Sequence, residues 1–157
     1  MGYSLRSALN SLPPDAEVIV SELVPKVAIW NRELFGHLAD HPLRDPRVVL
    51  REVDVARVMR EAKQEYDLIL LDVDNGPEGL TRQSNDWLYS HPGIMVARAA
   101  LRPRGVLGYW SSGPDQSFSR RLRGAGLDVQ EIPLHAANGC YGVRHVIWLA
   151  VVQRSAR

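Results

Sequence analysis

The feature that most constrains this chain is an apolar run that stops abruptly at acidic residues: Tyr66-Asp67-Leu68-Ile69-Leu70-Leu71-Asp72-Val73-Asp74-Asn75-Gly76-Pro77. A short apolar run closed by turn residues is the pattern of a parallel strand buried on both faces. In an open α/β sheet, ligands bind beyond the carboxyl ends of the strands. Asp72 and Asp74 are therefore expected at the mouth of a cleft, facing a cation or a hydroxyl-rich ligand.

The segments around this run alternate between helix and strand periodicity. Leu5, Ala8, Leu9 and Leu12 recur at helical spacing until Pro13-Pro14-Asp15 ends the pattern. Glu17–Leu23 is β-rich, and Val24, Val27, Ala28, Leu34 and Leu38 mark one face of a following helix. Val48–Val53 reads as a strand, and Val55, Val58, Met59 and Ala62 as a helical stripe. After the 68–73 strand, Gly76–Ser84 reads as a polar loop, and Ser90-His91-Pro92 opens a helix running to about Leu101. Arg102-Pro103-Arg104-Gly105 reads as a turn before a strand at Val106–Trp110. Asp115 caps a helix carrying Phe118, Leu122 and Ala125 that closes at Gly126. Leu127–Leu134 and His145–Val152 are expected to pair antiparallel around a loop holding Asn138, Gly139 and Gly142. Strands alternating with helices imply an α/β protein with a doubly wound, Rossmann-like sheet.

Length and composition limit the function classes. A chain of 157 residues, 45% hydrophobic and 24% charged, is expected to form a single globular domain over 1–157. Nineteen Lys and Arg against eighteen Asp and Glu supply no charge argument for nucleic acid. No apolar stretch approaches the ~20 residues of a membrane span, and the N-terminus lacks the apolar core of a signal peptide. The single cysteine, Cys140, allows no internal disulfide and suits a reducing cytoplasm. The five histidines show no paired metal-ligand spacing, so no metal is expected.

Three successive strands end in carboxylates: Glu22, Asp54, and Asp72 with Asp74. Parallel neighbours would bring these tips to one edge of the sheet, where one carboxylate accepts from ribose hydroxyls, a second takes an exocyclic amine and a third meets an ammonium. Each also has a plainer reading. Asp54 caps the helix at Val55, Glu22 lies in a loop before Pro25, and Asp74 stabilises the turn at Asn75-Gly76. Trp87 and Tyr89 either wall a substrate pocket or pack their loop down. Ser111-Ser112-Gly113 lacks a nucleophile-elbow pattern.

The order Glu22, Asp45-Pro46-Arg47-Val48, Asp54 and Tyr66–Asp72 resembles the spermidine synthase family. Leu101-Arg102-Pro103-Arg104-Gly105-Val106-Leu107 is similar to that family and to class I S-adenosylmethionine-dependent methyltransferases generally. The resemblance extends over essentially the whole chain. It implies a transferase that uses S-adenosylmethionine or decarboxylated S-adenosylmethionine to alkylate a small-molecule amine or other nucleophile, without metal. It implies Glu22 on the ribose hydroxyls, Asp54 and Val55 at the adenine, and Gly2 as the last glycine of the loop under the methionine part. It implies Asp72 and Asp74 as the carboxylates that orient or deprotonate the amine.

Relative to the family, the chain begins at Met1-Gly2-Tyr3, inside the glycine-rich loop. The family's first strand, most of that loop and an N-terminal hairpin region are therefore expected to be absent from this sequence, which reads as N-terminally truncated. Asp72-Val73-Asp74 is one residue shorter than the family's carboxylate spacing. Pairing of the 17–23 strand with the 68–73 strand, or a partner chain in a homodimer, is expected to close the seam. The resulting function readings are a spermidine-synthase-like transferase, a methyltransferase of an unknown small molecule, and a non-catalytic domain of the same fold.

Overall fold

The computed structural model describes residues 2–73, 85–135 and 144–153. They divide into two compact units, Met1–Val58 and Met59–Arg157. Asp74, the 76–84 loop, the Asn138-Gly139 and Gly142 loop and Cys140 lie outside the described residues. Among the described residues no helix is long and apolar enough to cross a membrane.

The first unit contains α1 (Tyr3–Ser11), β1 (Val18–Ser21), α2 (Pro25–Glu33) and β2 (Val48–Arg51), with α3 (Val55–Glu61) following. β1 and β2 pair in parallel from Val18↔Val48 to Ser21↔Arg51. The entry to β2 is fixed by a fork of charged hydrogen bonds. Arg47 donates through its backbone N–H and Nε to Asp45 Oδ1, each at 3.0 Å, and through Nη2 to Oδ2 at 2.9 Å. Arg47 Nη1 also reaches the carbonyls of Leu12 and Pro13, both at 3.2 Å, tying the end of α1 to β2. The Arg47 guanidinium holds the Asp45 carboxyl down at about 2.

The helical stripe expected to run to Leu38 breaks instead at Glu33. The N–H groups of Leu34 and Phe35 both turn back to the Trp30 carbonyl. Gly36 then comes so close that a Cβ on it would lie 2.4 Å from the Asn31 carbonyl oxygen. A 3-10 turn at Gly36–Ala39 follows, and Asp40 and His41 adopt left-handed backbone. Val24, Leu34 and Leu38, expected on the inner face, are exposed, and Ala28 is the buried residue of α2.

The second unit contains β3 (Tyr66–Leu71), α4 (Asp86–Tyr89), α5 (His91–Ala100), β4 (Leu101–Ser111), α6 (Gln116–Gly124), β5 (Leu127–His135) and β6 (Arg144–Val152). Its sheet has the order β3-β4-β6-β5. β3 and β4 are parallel, and β6 runs antiparallel to both β4 and β5, as the sequence predicts for the C-terminal pair.

Three expectations are corrected here. Among the described residues, β1 pairs with β2 and β3 with β4, in place of the β1–β3 pairing offered as one way to close the seam. The 68–71 run is not buried on both faces. Ile69 and Leu71 are buried, while Leu68 and Leu70 remain 43% and 54% exposed on the other side of the pleat. The turn expected at 102–105 lies inside β4. Pairing jumps from Tyr66↔Leu101 to Leu68↔Val106, so the extra residues bulge out, with Arg104 at φ 70°.

The buried face of this sheet carries Leu107, Tyr109 and Ser111 of β4 and Trp148 and Ala150 of β6. α5 packs on β4 and α6 on β5. Phe118 is fully buried at the centre, edge-on to Tyr109 at 4.9 Å and to Trp148 at 5.0 Å, with Tyr89 at 5.5 Å. The polar tips are satisfied: Trp148 Nε1 donates to Ser119 Oγ at 2.8 Å and Tyr109 Oη to the Leu88 carbonyl at 3.0 Å. Burial pushes the Tyr109 phenol up. Asp115 accepts from the N–H groups of Ser117 and Phe118 at 2.7 and 3.0 Å, forming the predicted cap of α6. Gly126, at φ 76°, takes the left-handed position that ends it.

Two outcomes follow from this packing. Phe118→Ala removes the ring on which three others pack and lowers unfolding free energy by about 3–5 kcal/mol, read by urea denaturation. Asp45 has a depressed folded pKa, so its stabilisation is present above the unfolded value of 3.8 and is lost as pH falls toward about 2. Asp45→Asn should therefore melt earlier at neutral pH and lose part of the wild-type pH dependence between about 4 and 2.

Candidate functional site

The candidate residues fall at strand ends and helix starts of both units. In the first unit, Glu22 directly follows β1 and extends its pairing, because its N–H donates to the Arg51 carbonyl at 3.1 Å. Its Oε1 accepts from the Val24 N–H at 2.8 Å, which tightens the turn into α2. Asp54 follows β2 by three residues. Its Oδ1 accepts from the Ala56 N–H at 2.8 Å and its carbonyl from the N–H groups of Arg57 and Val58, so it caps α3. Val55 is the first residue of α3 and is half-buried. The plainer readings of Glu22 and Asp54 are thus realised. Each local bond engages one oxygen, and a carboxylate offers about four acceptor positions.

Gly2 lies just before α1 with φ 81° and ψ 10°. That left-handed geometry suits glycine, and a Cβ there would meet Pro42 Cγ at 2.8 Å. Gly2 is therefore required by the local backbone and by the close approach of Pro42.

In the second unit, Asp72 is exposed one residue beyond β3. The two aromatic candidates separate. Tyr89 is buried among Tyr109 and Phe118, which realises its packing reading rather than the pocket wall. Arg121 Nη1 donates to its carbonyl at 2.7 Å, adding to the packing role. Trp87 is half-buried, with the Arg60 guanidinium 4.1 Å from its ring centroid. Among the described residues no group of three or more His, Cys, Asp or Glu is placed to hold a metal ion.

Sequence reasoning missed Trp110. It lies next to Ser111 at the end of β4, and its indole stacks on the His145 imidazole, with centroids 5.2 Å apart and planes 28° apart. The alternation of β4 and its antiparallel pairing with β6 carried the signal, since Trp110↔Ile147 puts His145 two residues along the same face.

No family model matches the sequence, and no curated protein matches it. Solved structures do. A spermidine synthase from Thermotoga maritima superposes with a TM-score of 0.72 over 95% of this chain and 50% of its own, at 18% identity. A spermidine synthase in complex with the transition-state analogue AdoDATO gives 0.70 over 95% of this chain and 49% of its own, also at 18% identity. The N-methyltransferase NodS from Bradyrhizobium japonicum gives 0.60 over 96% and 82%, at 14% identity. The fold is methyltransferase-like. This methyltransferase-like chain spans about half the length of the spermidine synthases it matches.

The capping role of Asp54 has a measurable consequence. Asp54→Ala should lower stability by about 1 kcal/mol in denaturant titrations, while Asp54→Asn, also a good cap, should recover most of it.

Proposed function

We propose that this protein transfers an alkyl group from an S-adenosylmethionine-type sulfonium donor to an amine, in the manner of a spermidine synthase. The observation that carries the reading is the pair of carboxylates, Glu22 and Asp54, that follow the parallel neighbours β1 and β2 paired at Ser21↔Arg51. Glu22 accepts hydrogen bonds from vicinal ribose hydroxyls with the oxygen its own turn leaves unused. Asp54, with Val55, meets the adenine. Gly2 allows the backbone turn that passes beneath the rest of the donor. When bound, such a donor supplies a carbon activated by positively charged sulfur. Asp72 accepts a hydrogen bond or a proton from the acceptor nitrogen, which has to be unprotonated to attack. Asp74 belongs to the same reading from its sequence position. A homodimer and a cytoplasmic location belong to the proposal as well.

A second reading, methyl transfer to a small nucleophile, is favoured by the shortened Asp72-Val73-Asp74 spacing.

Calorimetric titration with S-adenosylmethionine, decarboxylated S-adenosylmethionine and methylthioadenosine tests both. Micromolar binding of at least one is expected, and the preferred donor distinguishes methyl from aminopropyl transfer. Glu22→Ala should weaken that binding about 10- to 100-fold without unfolding the protein. Failure of all three to bind would leave the non-catalytic reading.

A further inference from the structure

The face of the second unit's sheet opposite its core carries an aromatic pair that the proposed chemistry has not used. Register and pleat place Leu68 and Leu70 of β3, Val106, Gly108 and Trp110 of β4, and Ile147 and Leu149 of β6 on this face. The last paired residues of β3 and β4 are Leu71 and Tyr109, so Asp72 and Trp110 are the next residues along the two chains, at the carboxyl end of both strands. His145 covers one side of the indole. Among the described residues its Nδ1 is buried without a hydrogen-bond partner, and the stack on Trp110 braces the ring. Trp110 is only partly buried.

The chemistry of this corner is one carboxylate beside a braced indole on an apolar surface. A flexible aliphatic chain would gain little from a fixed indole plane. A flat ring stacks on such a plane, and Asp72 then receives a nucleophilic group attached to that ring.

Resting on the transferase reading above, we propose that Trp110, positioned by His145, determines acceptor specificity and selects an acceptor with an aromatic ring next to its amine. Trp110 contacts the ring, His145 is a positioning residue, and Asp72 meets the nitrogen.

Benzylamine and cyclohexylmethylamine match in size and charge and differ in the flat ring. Each is titrated calorimetrically into the protein saturated with methylthioadenosine, for wild type, Trp110→Phe and Trp110→Leu. Wild type should bind benzylamine about three- to tenfold more tightly. Trp110→Phe should keep most of that preference, and Trp110→Leu should lose it with methylthioadenosine affinity unchanged. Equal binding of the two amines by wild type, no binding of either, or a preference that survives in Trp110→Leu would overturn the inference while leaving the transferase reading in place. Absence of methylthioadenosine binding would instead remove the transferase reading, and this inference with it.

Discussion

The second unit depends on burying four aromatic rings together with the polar tips of Tyr109 and Trp148. Phe118 is the hub, and Tyr109, Trp148 and Tyr89 pack around it from β4, β6 and α4. Rings of this size supply a large share of the apolar area that drives folding, and edge-on geometry adds to it. Tyr109 and Trp148 also carry a donor that would be costly to bury unpaired. The Leu88 carbonyl and Ser119 Oγ accept those donors, so α4 and α6 must dock in one position along the sheet. That docking fixes the pleat of β4. Because Tyr109 points inward, Trp110 points to the opposite face, where His145 braces it.

The first unit is small and relies on directional interactions more than on a core. Its buried apolar residues are few, including Leu9, Ala28 and Ala39. The Asp45–Arg47 fork and the reach of Arg47 to the carbonyls after α1 join the helix to the parallel strand pair. Arg6 does the same at the other end of α1 by donating to the carbonyls of Ala39 and Asp40. These contacts hold the starts of β1 and β2 in place, and Glu22 and Asp54 follow the opposite ends of the same strands.

Local signals were legible where one residue's chemistry decides a terminus. Ser90, Asp115 and Gly126 act as the caps their side chains or backbone freedom predict. The antiparallel C-terminal pair followed from its β-rich runs. The helix expected to reach Leu38 was not legible, because periodicity does not reveal that Gly36 lets the chain close onto the Asn31 carbonyl. The bulge at 102–105 was read as a turn because Pro103 and Gly105 signal reversal, whereas the parallel ladder resumes beyond them at Val106. The two readings of Tyr89 stayed open for a similar reason. An aromatic residue beside a polar loop serves a pocket or the core according to what packs over it, and here Tyr109 and Phe118 do.

By itself the sequence determined the alternation of strands and helices, the caps, and the carboxylates at strand ends, because these depend on residues within a few positions of one another. Tertiary structure alone decided which strands pair, which face of β3 is buried, and which aromatic residue of β4 faces away from the core. Those outcomes depend on contacts between segments tens of residues apart, such as β3 with β4 and β4 with β6, and a periodic pattern carries no record of its partner.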